Sequence, residues 1–97
     1  MPVVHMAWIG FKDGVSAERI AQHIAACRAL VGHVPVILDL KAGASFSGRA
    51  GSLTHCVVVT LRDRASLSDY LNHPQHRAVL SALQADVAEM RAMDIEV

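Results

Sequence analysis

The sequence predicts an α+β fold in which helices cover one face of a small antiparallel sheet, and three observations lead to this prediction. Residues 3–11 and 54–61 form extended segments that are largely apolar on both faces, as strands covered on both sides are. Residues 17–31 and 74–88 repeat apolar side chains every three or four positions, which is the spacing of one helix face. A length of 97 residues suits a single domain, expected to span residues 1–97.

The first half of the chain is predicted to hold two strands joined by a helix. The first strand runs from Val3 to Phe11, and Ser16 is a suitable cap for a helix over Ala17–Val31, which Gly32 would end. The inner stripe of this helix is predicted to consist of Ile20, Ile24, Cys27 and Val31. The second strand is predicted over Val36–Ala42, near an edge of the sheet because one of its faces is more polar.

The middle of the chain is predicted to form a loop, a third strand and a short helix. Gly, Ala and Ser dominate Gly43–Ser52, which predicts a mobile loop that exposes Phe46. The third strand is predicted over Thr54–Leu61. Asp63 can then cap a short helix that runs through Leu71.

A longer helix and a last strand complete the prediction. Pro74 suits the first position of a helix because its missing N–H would be unpaired there anyway, so this helix is predicted over Pro74–Ala88. One of its faces is predicted to carry His76, Leu80, Leu83 and Val87. The last strand is predicted over Arg91–Val97.

The resulting order, β-α-β-β-α-α-β, is the ferredoxin-like βαββαβ pattern with its second helix split in two. The helices then cover one face of a four-stranded antiparallel sheet. The other face keeps the apolar side chains Val4, Met6, Trp8, Val58, Met93 and Ile95. Pairing with a second copy, sheet against sheet, would cover them, so we predict a homodimeric α/β barrel.

Composition narrows the classes of function. Nine basic and nine acidic residues give a formal net charge of zero, without the basic stripe of a nucleic-acid-binding protein. Cys27 and Cys56 lie in apolar stretches without metal or redox spacing, which predicts free thiols in a reducing compartment. The sequence shows neither a signal peptide nor an apolar run of membrane-spanning length. We therefore expect a cytoplasmic protein that contacts neither nucleic acid nor membrane.

Five polar side chains are predicted to meet in the layer between sheet and helices. The strands would contribute His5, His55 and Asp94, and the two later helices would contribute Tyr70 and His76. Unpaired buried polar groups cost roughly 1–3 kcal/mol each, so these groups should bind one another or a ligand. Asp94 is predicted to orient His76 as a general base, while Tyr70 or His5 polarises a carbonyl oxygen. This layout needs no cofactor.

Structural explanations of the same residues remain open. His55 alone would ordinarily be a structural residue, and Tyr70 could simply anchor its helix. His73 and His76 are three residues apart, but they lack zinc-type spacing, so no metal site is predicted. His23 and His33 are interpreted as surface residues.

The chain resembles the stress-response A/B-barrel (Dabb) family of the dimeric α/β-barrel superfamily along nearly its whole length. The most specific match is the run from Tyr70 to His76, Tyr-x-x-His-Pro-x-His. The other matching residues and motifs are His5, Phe11-Lys12-Asp13-Gly14, Val34-Pro35, Gly43, Leu67-Ser68-Asp69 and Asp94. Within this family the polar set is similar to that of olivetolic acid cyclase, a plant polyketide cyclase that performs an aldol condensation without a cofactor.

The resemblance implies roles for individual residues. It implies that His76 is the general base, that Asp94 orients it, and that Tyr70 and His5 hold the substrate, with His55 as a pocket histidine. The apolar lining of the ligand cavity is predicted to include Ala7, Ile24, Val57 and Leu80. The predicted partner is therefore a small hydrophobic carbonyl compound. Two alternatives remain, a non-catalytic stress-linked dimer and a cofactor-free monooxygenase of the related families.

Overall fold

The structure is a computed structural model that describes all 97 residues. Its elements are β1 (Val3–Phe11), α1 (Ala17–Ala29), a 3₁₀ turn (Leu30–Gly32), β2 (Ile37–Ala44), β3 (His55–Leu61), α2 (Arg64–Asn72), α3 (Pro74–Gln84) and β4 (Val87–Glu96). The predicted element order is confirmed. No helix is both long enough and apolar enough to cross a membrane.

The four strands form one antiparallel sheet in the order β2-β3-β1-β4. The ferredoxin-like prediction is thereby confirmed, with the second helix of the pattern split into α2 and α3. Strand β1 lies in the centre, and its His5 is opposite Val59 on β3 and Asp94 on β4. Directly opposed residues share a face of the sheet, so this register sets His5 and Asp94 side by side.

The core lies between the sheet and the helices. Its most deeply buried side chains come from the strands and from the connection after the first helix, and they are Ile9, Val34, Val59 and Leu61. Tyr70 and Leu83 join them from α2 and α3. Because each strand alternates its side chains, this one-sided core leaves the opposite face uncovered. Trp8, Met93 and Ile95 are exposed there.

The end of the first helix differs from its prediction. Ser16 caps α1 by accepting the Arg19 backbone N–H, as the sequence indicates. The α-helix stops at Ala29, however, and a 3₁₀ turn follows. The tighter turn rotates the chain, so Leu30 is buried while Val31, predicted on the inner stripe, is 50% exposed.

The prediction that α3 extends to Ala88 is wrong, because this helix ends at Gln84 and β4 begins at Val87. The corner between them is held by Lys12, whose backbone N–H donates to the Asp86 carbonyl and whose Nζ donates to the Ala85 carbonyl. Val87 then pairs with Phe11 as a strand residue. An apolar residue at helical spacing suits either element, so periodicity alone does not assign Val87 to one of them.

The loop between β2 and β3 begins two residues later than predicted, since β2 continues through Ala44. The loop packs over the end of β1, where a Cβ on Gly10 would lie 2.4 Å from the Ser52 carbonyl oxygen. Only glycine therefore fits at this position without a shift of backbone. Phe46 is fully exposed on the loop, as predicted.

Candidate functional site

A cavity of about 160 Å³ lies between the sheet and the helices. Fourteen residues line it, twelve of them hydrophobic: His5, Ala7, Ile9, Cys27, Leu30, Val57, Tyr70, Leu71, His76, Val79, Leu80, Leu83, Met90 and Ala92. Three of the four predicted catalytic side chains, those of His5, Tyr70 and His76, are therefore on its wall. An apolar pocket with a few polar groups on one side is the usual form of a small-molecule site.

The first polar group is the His5–Asp94 pair. His5 is buried on the central strand, and its Nδ1 donates to Asp94 Oδ1 over 2.5 Å. The two residues are cross-strand partners on β1 and β4, so the backbone register alone brings them together. A carboxylate only accepts, which assigns the proton of neutral His5 to Nδ1 and leaves Nε2 as an acceptor.

The predicted pairing of His76 with Asp94 is wrong. His76 lies in the first turn of α3, and its Nδ1 donates to the backbone carbonyl of Leu71 over 3.1 Å. Asp94 is occupied by His5, which lies opposite it in the sheet, whereas His76 reaches the cavity from the helix layer. Side-chain alternation predicts that these groups share one layer, but it does not tell which strand residues lie opposite each other.

Tyr70 packs against both histidines. Its ring centroid is 4.4 Å from that of His76 and 5.7 Å from that of His5. The side chain comes from the last turn of α2, and the helix break at His73 and Pro74 turns His76 toward it. Two consecutive helices and the central strand thus bring a phenol and two imidazoles together, as the sequence predicts.

Each of these rings keeps one polar atom free. His5 Nε2, His76 Nε2 and Tyr70 Oη make no hydrogen bond within the chain. No buried side-chain nitrogen or oxygen lacks a partner, so these three atoms are not sealed in the core. All three residues line the cavity, so a ligand there would lie next to the rings that carry these atoms.

Burial sets the protonation states of two of these groups. Desolvation, with a smaller contribution from Cys27, raises the pKa of Tyr70 to about 12, so the phenol keeps its proton at neutral pH. Desolvation also lowers the pKa of His76; the Leu71 carbonyl opposes this effect, while the nearby His5 and His73 add to it. At neutral pH the cavity therefore offers one hydroxyl donor beside one neutral imidazole.

The predicted apolar lining is correct at three positions and wrong at one. Ala7, Val57 and Leu80 line the cavity. Ile24 is buried but does not line it, because the facing part of α1 is Cys27, one turn further on. Leu71 and Val79 also line the cavity and were missed; Val79, three residues after His76 on α3, could have been indicated by its spacing.

His55 does not lie at this cavity, which contradicts its predicted place. It shares the helix-facing side of the sheet with His5, but it pairs with Ile9, four residues along β1. Four strand residues span about 13 Å. The ring instead packs edge-on against Phe11, its Nδ1 lies 2.8 Å from the Thr54 hydroxyl, and burial lowers its pKa.

A second polar cluster, formed by Arg19, His23 and Asp86, lies at that end of the sheet and was not predicted. Asp86 Oδ2 accepts from His23 Nε2 over 2.6 Å and from Arg19 Nη2 over 2.7 Å. These two bonds hold the pKa of Asp86 below its usual range, and the bond from His23 has the larger effect. The prediction that His23 is a surface residue is wrong, because its ring is stacked on Phe11.

No group of three or more His, Cys, Asp or Glu side chains is arranged to hold a metal ion. His73, which lies near His76 in sequence, caps α3 by accepting the Gln75 backbone N–H at its Nδ1. Both cysteines are free, and burial raises the pKa of each thiol, Cys27 and Cys56. Neither thiol is activated as a nucleophile, because the thiolate is the reactive form.

Solved structures similar to this chain share the whole fold. A dimeric ferredoxin-like protein of unknown function from Thermobifida fusca has 27% identity and a TM-score of 0.89, covering 100% of this chain and 92% of its own. Hydroxynitrile lyase from Passiflora edulis has 19% identity and a TM-score of 0.90, covering 99% and 93%. A dimeric protein of ferredoxin-like fold from Bacteroides fragilis has 18% identity and a TM-score of 0.82, covering 99% and 96%.

Among curated proteins, none matches this sequence. A family model does match it, the Stress responsive A/B Barrel Domain, over residues 3–97. That range includes every strand and helix described above, as well as the Tyr70–His76 run that indicated the resemblance. The chain therefore belongs to the stress-responsive A/B barrel domain (Dabb) family.

Proposed function

We propose that this protein binds a small hydrophobic carbonyl compound in the cavity beside Tyr70 and catalyses acid–base chemistry on it without a cofactor. One observation carries the proposal: His5, Tyr70 and His76 line an otherwise apolar cavity, and each has a ring nitrogen or hydroxyl without a hydrogen-bond partner in the chain. A purely structural cluster would use these atoms in internal hydrogen bonds, as the Asp86 cluster does.

The protonation states support distinct roles. Tyr70 Oη would donate to the substrate carbonyl oxygen, because its raised pKa keeps the proton in place. His76 Nε2 would take a proton from the carbon next to that carbonyl, since a lowered pKa keeps this imidazole neutral. His5, with its orientation fixed by Asp94, would accept at Nε2 a hydrogen bond from a hydroxyl group of the substrate.

An aldol step fits these roles with atoms and electrons balanced. His76 takes the α-proton, and the C–H electron pair becomes an enolate whose oxygen Tyr70 stabilises. The enolate carbon forms a bond to a second carbonyl carbon of the substrate, and that carbonyl oxygen receives the proton from the His76 imidazolium. The resemblance of the polar residues to those of olivetolic acid cyclase favours this class of reaction.

The cavity volume restricts the substrate. About 160 Å³ is close to the roughly 150 Å³ that accepts benzene in an engineered protein cavity. We therefore propose a compact substrate of about one ring, and a polyketide with a long alkyl tail would need the helices to move apart. Small aromatic or branched aldehydes and ketones are the first compounds to test.

The same volume favours a second candidate, cleavage of a small cyanohydrin, which the name of the Passiflora neighbour suggests. His76 would take the hydroxyl proton, and the C–CN bond would break as the C=O bond forms. Cyanide would leave with the bonding electrons and take the proton back from His76. A non-catalytic dimer and a cofactor-free monooxygenase remain alternatives, and the latter would consume oxygen with an electron-rich aromatic substrate.

Filling the cavity tests the proposed site. Ala7→Leu adds three carbons to the wall, whereas Ala82→Leu adds the same atoms on the exposed side of α3. In a panel of small aldehydes, ketones and cyanohydrins, we expect binding and turnover by the wild type and by Ala82→Leu, and loss of both in folded Ala7→Leu. A wild type that neither binds nor converts any member of the panel would favour the structural alternative.

We also propose that the protein forms a homodimer through the uncovered face of its sheet. Met6 is opposite both Met93 and Val58, so apolar side chains continue across three strands of this face. Solved neighbours from Thermobifida fusca and Bacteroides fragilis are described as dimeric, which supports the proposal. Burial of this exposed apolar surface against a second copy would stabilise a dimer.

A charge on this face tests the dimer. Met93, 60% exposed on the sheet, and Val31, 50% exposed beside the helices, are matched positions. In sedimentation velocity we expect Met93→Glu to shift the protein toward monomer, because burying a carboxylate in an apolar interface is costly. Val31→Glu should sediment like the wild type. Equal behaviour of both variants would contradict the proposed interface.

A further inference from the structure

His76 must carry a particular tautomer in this structure. A backbone carbonyl has no proton to give, so the 3.1 Å contact between His76 Nδ1 and the Leu71 oxygen requires that Nδ1 carries the proton. The lone pair of the neutral ring is then on Nε2, the ring nitrogen without a partner in the chain. The choice of tautomer depends on whether the Leu71 carbonyl stays available.

The break between α2 and α3 keeps that carbonyl available. In a continuous helix, the Gln75 amide would donate to Leu71, four residues earlier. Here His73 has an extended conformation, with φ −64° and ψ 135°, as a residue before proline prefers. The helical path is therefore interrupted, and the Gln75 amide donates to His73 Nδ1 over 3.1 Å.

We infer that His73, whose side chain does not line the cavity, is a positioning residue that selects the tautomer of His76. By accepting the Gln75 amide, His73 leaves the Leu71 carbonyl to His76 Nδ1. Pro74 contributes by lacking an N–H of its own and by holding His73 extended. This inference deepens the proposed function and rests on it for its catalytic meaning, but the tautomer itself is a property of the folded protein.

Variants at position 73 separate the cap from the imidazole. His73→Ala removes the acceptor, so the Gln75 amide is free to compete for the Leu71 carbonyl. His73→Asn restores a capping acceptor without an imidazole, since asparagine is among the best helix caps. His33→Ala, at an exposed position in the connector before β2, is the matched control for loss of a histidine.

Long-range ¹H–¹⁵N correlation spectra of the histidine rings give the readout. We expect His76 to be protonated at Nδ1 in the wild type, in His73→Asn and in His33→Ala, and to gain the Nε2-protonated form in His73→Ala. For an active substrate, kcat should fall about tenfold in His73→Ala and recover in His73→Asn, because the wrong tautomer presents a proton where a base is needed.

Two results would overturn the inference: a wild-type His76 protonated at Nε2, or a His73→Ala spectrum in which the His76 tautomer is unchanged. Failure of the proposed function is distinguished from both, because it would abolish turnover while leaving the tautomer pattern as expected. Circular dichroism of His73→Ala shows whether α3 has kept its helix. If it has not, His73→Asn against His73→Gly repeats the comparison, since glycine loses the side chain but remains a tolerated cap.

Discussion

The two ends of the helix-facing side of the sheet carry nearly the same residue types, yet the cavity beside Tyr70 lies at only one of them. At one end His5 and His76 both pack against Tyr70, and Asp94 binds one of the two imidazoles. At the other end His23 and His55 both pack against Phe11, with ring centroids 5.9 and 5.3 Å away. Phe11 fills the space between those two histidines, whereas the space beside Tyr70 stays open.

The two carboxylates differ in the same way. Asp86 accepts from both Arg19 and His23, and so ties α1 to the corner between α3 and β4. Asp94 accepts only from His5, whose other nitrogen is left free. Residue type therefore does not decide whether a histidine is structural or available to a ligand. What decides it is whether neighbouring side chains use its hydrogen bonds and fill the space around it.

Replacing one histidine at each end gives the largest expected contrast. His76→Gln removes the proposed base, so kcat/KM should fall by about 10²- to 10⁴-fold, the usual contribution of a general base. His55→Gln, which alters the filled end, should leave kcat/KM within about twofold of the wild type. Both are measured on any substrate that the wild type converts. Equal losses in the two variants would show that the difference between the ends has no catalytic meaning.

Tyr70 gives the next largest effect, in alkaline solution. Its pKa is about 12 in the folded protein and about 10 in an unfolded chain. Between pH 10 and pH 12 the unfolded state therefore binds fewer protons, and stability falls as the pH rises. The loss should approach on the order of 2–3 kcal/mol in urea titrations.

Tyr70→Phe is the control for that titration. Without the phenol, this part of the alkaline loss should vanish, although the variant starts from a different stability at neutral pH. The lysine titrations remain in both proteins and cancel in the comparison. Parallel curves for Tyr70→Phe and the wild type up to pH 12 would mean that the phenol is better solvated than its burial indicates.

Periodicity and capping residues predicted most of the fold. The bounds of β1 and the start of α3 were predicted correctly, because two-residue alternation and Pro74 mark them without reference to the rest of the chain. The end of α3 was not, because Val87 suits a helix stripe as well as a strand. Only the contacts of Lys12 with the corner residues Ala85 and Asp86 decide between the two.

Three polar members of the site were predicted, but its hydrogen bonds were not. His5, Tyr70 and His76 do line one cavity, since each lies on the inward face of its element. The partner of Asp94 depends on strand register, and the exclusion of His55 depends on a distance along the strand. The alternation of side chains between the two faces of a strand gives neither the register nor this distance. His23 was missed because its partner, Asp86, lies 63 residues away in the sequence.

Neutralising each carboxylate should give the smallest effects, but the two variants should change activity and stability in opposite ways. Asp94→Asn weakens a charged hydrogen bond to His5, so kcat/KM should fall roughly 10- to 100-fold, the equivalent of about 1.5–3 kcal/mol. Its melting temperature should change little, because Asp94 is exposed on the sheet edge. Asp86→Asn should do the opposite, lowering the melting temperature while kcat/KM stays close to wild type, since Asp86 binds two residues of α1 and does not line the cavity.

The pH dependence of these two variants completes the test. Because the pKa of Asp86 is lowered in the folded protein, its contribution to stability is present above the ordinary carboxyl range and is lost as the pH falls through the folded value. Acid unfolding of Asp86→Asn should therefore lack that part of the wild-type transition, while Asp94→Asn retains it. If instead Asp94→Asn proved the less stable variant and Asp86→Asn the less active one, the roles assigned to the two ends would have to be exchanged.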